Sequence, residues 1–116
     1  MESILTTIKT QLGYEEADTG YDAEIITHIN TVLMDLTQLG VGPADGFEIE
    51  DESSTWQDFL GDNVKKFNAV KTYIYMRVKL IFDSSTMSSA LIESFNRQCD
   101  RFEWRLNHAA EFGTTD

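Results

Sequence analysis

Two histidines, one cysteine and a crowded run of carboxylates are the side chains with which this sequence could do chemistry. His28 and His108 fall in different halves of the chain, with no partner motif around either. Cys99 lies on an apolar helical stripe, where cysteine behaves as a small hydrophobe. There is no G-x-S-x-G elbow, phosphate-cradling glycine loop or H-E-x-x-H pair. Carboxylates are plentiful, but no spacing sets one apart as an acid or a base. The reading is therefore of a protein that is not an enzyme and has no catalytic residue. Asp45, Glu48, Glu50, Asp51 and Glu52 raise the question of calcium. A calcium loop needs oxygen ligands at set positions around a glycine that makes the sharp turn. DGFEIEDESSTW lacks that pattern. Its alternation instead puts Glu48 and Glu50 on one wet face of an extended segment. No metal and no cofactor is expected.

The basic residues pose a different question. Arg97, Arg101 and Arg105 recur every four residues, and His108 extends the row. Arginine rows contact phosphates, yet the chain carries a net charge of −11, and Asp100, Glu103 and Trp104 are interleaved. A solvated, salt-bridged face is the plainer alternative. The distribution of charge adds a third. Residues 1–58 hold 13 acids against one base, Lys9 (−12), while residues 59–116 hold 7 against 8 (+1). An acidic surface on one copy can then meet the basic row of another. Such a head-to-tail contact makes rings or filaments rather than closed dimers. The candidate contact residues are Arg97, Arg101 and Arg105 on one side and Glu48, Glu50, Asp51 and Glu52 on the other.

The elements that must position these groups are mostly helical. The 116 residues are 41% hydrophobic, enough for one domain that buries roughly two thirds of its unfolded surface. A lone cysteine suits a reducing compartment. The first residues show no basic, apolar signal-peptide pattern, and no run reaches the ~18 apolar residues of a membrane span. Ser3 is predicted to cap a short first helix that Gly13 stops. Asp22 is predicted to cap a second helix, whose Ile25, Ile29, Val32, Leu36 and Leu39 form one stripe ended by Gly40. Phe47 and Ile49, a turn at Asp51–Ser54, and Thr55–Trp56 read as a small β-hairpin. A third helix from about Val64 to Phe82 carries two adjacent apolar stripes, so it should be central. Arg77 falls between them and, if buried, needs a carboxylate or several carbonyls. The last helix, from about Met87 to Ala110, carries Leu91, Phe95, Cys99, Phe102 and Leu106, with Glu93 and Arg97 spaced to pair. Residues 110–116 read as a frayed tail. The expected fold is a small four-helix bundle with a β-hairpin inserted between its second and third helices.

Three blocks carry a resemblance to a known family: Ile29-Asn-Thr-Val-Leu-Met-Asp-Leu-Thr-Gln-Leu-Gly-Val-Gly-Pro43, Thr55-Trp-Gln-Asp-Phe-Leu-Gly-Asp62, and Ala69-Val-Lys-Thr-Tyr-Ile-Tyr-Met-Arg-Val-Lys-Leu-Ile-Phe-Asp83. Ser94-Phe-Asn-Arg-Gln-Cys-Asp-Arg-Phe-Glu-Trp-Arg-Leu-Asn107 echoes the third. Together they resemble the head–tail connector (adaptor) proteins of long-tailed phages, in the small helical form of Gram-positive phages and prophages. One departure is Ser84-Ser85 after Asp83, where members often carry prolines. The resemblance implies a single connector domain over 1–116, made in the bacterial cytoplasm and located in the virion neck. It implies a homo-oligomeric, roughly twelve-fold ring on the portal protein that receives the tail or a stopper protein. Double-stranded DNA would pass through without specific binding, and no membrane is involved. The arginine row and the acidic run then become subunit or portal contacts, and reversing Glu48 and Glu50 to lysine should weaken assembly without unfolding the monomer. An acidic DNA mimic that inhibits a host nuclease is the alternative, although its carboxylates would crowd into one half of the chain.

Overall fold

The computed structural model describes residues 2–61 and 66–112, with side chains as far as Asn107. The order is α1 (Ile4–Leu12), α2 (Asp22–Gln38), α3 (Trp56–Leu60), α4 (Phe67–Asp83), a 3-10 turn (Ser84–Thr86) and α5 (Ser89–Phe112). The thinnest dimension is 20 Å, which is about two helix diameters. The molecule is thus two layers deep, and α4 packs on α1, α2 and α5.

Local chemistry sets most of the boundaries. The Ser3 hydroxyl accepts the Thr6 amide at 3.2 Å, and Gly13 closes α1 in the left-handed region at φ +95°. Gly40 (φ +87°) ends α2. The amides of Gly40 and Val41 bond back to the carbonyls of Thr37 and Leu36, as in a Schellman motif. The Ser88 hydroxyl accepts the Leu91 amide at 3.1 Å and caps α5. Asp22 departs from expectation. Tyr21 occupies the N-cap position without a side-chain bond, because the Asp22 carboxylate lies 2.8 Å from the Lys9 ammonium. The approach is off the hydrogen-bonding axis, so it is an ion pair more than a directed bond. The expected start of the third helix at Val64 lies outside the described residues, as do residues 113–116 of the expected frayed tail. The helix itself continues through Phe112.

Ile25, Ile29, Val32, Leu33 and Leu36 of α2 meet Val70, Tyr73, Ile74, Met76 and Val78 of α4 in the core. The third helix is central, as its two stripes required. Helix α5 is held more loosely. Cys99 and Leu106 are buried, Phe95 and Phe102 are half-buried, and Leu91 is exposed.

The predicted β-hairpin is overturned. Among the described residues there is no strand, only an isolated antiparallel bridge between Ser3 and Thr55. Two competing interactions explain this. The Asn30 side chain accepts the Ile49 amide at 2.8 Å and donates to the Ile49 carbonyl at 3.0 Å, taking both groups that a partner strand would bond. Thr55 does not return as a strand but caps a helix. Its hydroxyl accepts the Asp58 amide, and the Asp58 carboxylate accepts the Thr55 amide, a reciprocal capping box. Trp56 then opens α3 fully buried, and its indole donates to the Thr7 hydroxyl at 3.0 Å. Phe47 and Ile49 do anchor the segment: Ile49 is buried and Phe47 packs on Phe59 at 5.3 Å.

Candidate assembly surfaces

The nucleophile and acid–base candidates are separated. The His28 ring is half-buried against Phe82, with ring centroids 6.0 Å apart. The His108 side chain lies outside the described residues. Burial raises the Cys99 thiol from its usual 9.0 to about 11, so it stays protonated at neutral pH. Among the described residues no three His, Cys, Asp or Glu side chains gather in a way that could hold a metal ion.

Arg77 has the partners its position demanded. Its guanidinium reaches the carboxylates of Asp35 on α2 at 2.8 Å and Glu103 on α5 at 3.2 Å. It also donates to the Tyr73 hydroxyl at 2.6 Å, which in turn donates to Glu103 at 2.8 Å. One network therefore joins three helices. Desolvation and the hydrogen bond to Glu103 push the Tyr73 phenol well above its usual pKa, so it remains a donor. The sequence called for a carboxylate or several carbonyls beside Arg77; the structure supplies two carboxylates. The available signal was that Asp35 and Glu103 each border an apolar stripe, next to Leu36 and Phe102.

Lys9 is also absorbed into the fold. It is 3% exposed, pairs with Asp22 and donates to the Glu16 carbonyl at 3.0 Å. It is the one base of residues 1–58, so that half of the chain turns an acidic surface outward. Glu48, Glu50, Asp51 and Glu52 are all exposed. The Ser53 hydroxyl and amide bond to Asp51 and lower its pKa.

The arginine row lies on the open side of α5. Arg97, Arg101 and Arg105 are exposed, and Trp104 between them is 68% exposed. Arg97 approaches Glu93 at 4.0 Å, with both side chains largely in water, a pairing that holds little. Arg105 lies over the Phe102 ring at 5.7 Å. Shallow grooves flank the row, one lined by Gln98, Arg101, Phe102 and Arg105 and another by Asp100, Arg101, Trp104 and Arg105. Among the described residues the row and the acidic run form no ion pair with each other. After Asp83, Ser84–Thr86 make a single 3-10 turn that leads to α5.

No helix among the described residues is long and apolar enough to cross a membrane. Comparison with known proteins gives one family: the model described as phage connector protein matches residues 4–113. No curated protein and no solved structure matches the chain.

Proposed function

The chain belongs to the phage connector protein family, and from that premise we propose that its copies assemble as a ring on the portal vertex. The ring extends the DNA channel and presents the surface on which the tail or a stopper protein docks. The family match, which spans α1 to α5, carries this reading; it points to a structural role in the virion rather than to catalysis. The surface electrostatics support it. With Lys9 buried, the charged side chains that residues 1–58 offer to water are carboxylates. A channel wall of that sign repels phosphates and lets a duplex slide instead of holding it. The exposed arginines of α5 and the exposed acids Glu48, Glu50, Asp51 and Glu52 supply complementary contacts to a neighbouring copy or to the portal.

The test is to mix the purified protein with the portal of the same phage and to follow the mixture by light scattering and electron microscopy. A ring of this chain seated on the portal is expected. A chain that stays monomeric and never joins the portal would overturn the reading. Glu48→Lys/Glu50→Lys is expected to weaken incorporation while leaving the circular dichroism spectrum unchanged.

A further inference from the structure

The structure exposes a second surface that the sequence did not single out. Tyr14, Tyr21 and Phe82 meet at one corner of the bundle in a triangle of rings. The centroid separations are 5.6 Å (Tyr14–Tyr21), 6.0 Å (Tyr14–Phe82) and 5.9 Å (Tyr21–Phe82). The triangle opens to water at Tyr21, which is 49% exposed, while Tyr14 and Phe82 are half-buried; Ile81, next to Phe82 in the chain, is 43% exposed. Acids surround it. The Tyr14 phenol is raised above its usual pKa, first by desolvation and then by negative charge, that of Asp83 foremost and those of Asp18 and Glu24 after it.

We propose that this acidic aromatic corner receives the arginine face of α5 from a second copy of the chain, so that subunits join head to tail. Interfaces draw their affinity from aromatic and arginine anchors, while charged rims contribute little by themselves. The corner offers tyrosine faces, on which guanidinium groups stack, with carboxylates beside them. The acidic loop offers charge alone, because Phe47 is turned onto Phe59 and Ile49 is 2% exposed. The loop is thus left for other contacts, such as the portal. Placement also fits. Tyr21 is the N-cap of α2 and sets the corner at the start of that helix, whereas Asn107, two residues past the row, donates to the carbonyl of the C-cap Leu39 at 3.4 Å. These two caps bracket α2 and are ~27 Å apart at 1.5 Å per residue. A joint between surfaces at different ends uses two patches per subunit and propagates from copy to copy, as a ring requires. The inference rests on the ring reading above.

Two variants test it. Arg101→Glu/Arg105→Glu breaks the row and keeps the corner, while Tyr21→Ser/Ile81→Ser breaks the corner and keeps the row. Mixed, they have one productive joint and must stop at a dimer. The corner-broken chain, labelled with nitrogen-15, is titrated with the unlabelled row-broken chain to about 1 mM, where even weak interfaces bind. Amide dispersion and circular dichroism report that both are folded. Saturating shifts along residues 97–105 at one-to-one stoichiometry are expected, with none when the labelled chain meets its own variant. Silence in the mixture, or equal shifts in that control, overturns the proposal. Adding Glu48→Lys/Glu50→Lys to the row-broken chain should leave the shifts intact. Their loss would move the joint to the acidic loop and overturn the corner. If the wild type assembles on its portal while the titration is silent, only the joint falls. If the titration succeeds while the wild type ignores its portal, the joint stands and the neck function falls.

Discussion

Arg77→Met is the most informative single change, because this side chain joins α2, α4 and α5 in one polar network. Methionine keeps the apolar stem and removes the guanidinium. Three hydrogen bonds are lost, two of them to the carboxylates of Asp35 and Glu103. A hydrogen bond to a charged group contributes roughly 1.5–3 kcal/mol when well buried. Here the Arg77 side chain is 26% exposed and each carboxylate 37%, so water screens the pairs toward the ~1 kcal/mol of exposed ones. Two such pairs, with Asp35 and Glu103 then left close to one another, come to about 2 kcal/mol of lost stability. For a chain of this size that lowers Tm by about 8 °C, readable by thermal circular dichroism. A double-mutant cycle with Asp35→Asn should return a coupling of about 1 kcal/mol. A loss below about 0.5 kcal/mol, the range of ordinary surface substitutions, together with no coupling, would refute the argument that this network fastens α5.

Three other outcomes follow from the same geometry. Asn30→Ala should cost about 1–3 kcal/mol, because the Ile49 amide and carbonyl both lose their partner. Faster hydrogen exchange at the Ile49 amide would localise the effect, and an unchanged rate would count against the clamp. Gly42→Ala should cost about 2–4 kcal/mol in denaturant titrations, since φ is +83° and the new Cβ would lie 2.4 Å from Cε1 of Phe59. Gly13→Ala, with φ +95° and nothing within 4 Å, should cost only about 1 kcal/mol, and equal losses at the two sites would remove the clash from the account. Because burial raises the native Cys99 thiol to about 11, the unfolded thiol ionises first and binds fewer protons between pH 9 and 11. Stability must fall across that window, and Cys99→Ala should flatten the fall by up to about 2–3 kcal/mol. An identical alkaline slope in the variant would show that the thiol is not buried as described.

Local, periodic information was legible in the chain itself. The apolar stripes placed α1, α2, α4 and α5 and marked α4 as central, since side chains recurring at helical spacing must share a face. Ser3, Gly13 and Gly40 marked ends, because backbone groups at helix termini need caps that few residue types supply. The connector resemblance rested on the same core and turn residues, which is why a family model spanning residues 4–113 agrees with it. Other features depended on partners distant in sequence. The segment Phe47–Trp56 alternates like a hairpin, but an amide nineteen positions upstream in the chain claimed Ile49. The Thr55–Asp58 box then turned the expected return strand into a helix start. That box was written in the sequence, and the hairpin pattern concealed it. Which carboxylates answer Arg77, that the lone base of the acidic half is buried, and that three rings form an exposed corner were decided by packing alone. Charge and ring contacts act over a few ångströms, and only the folded chain sets those distances.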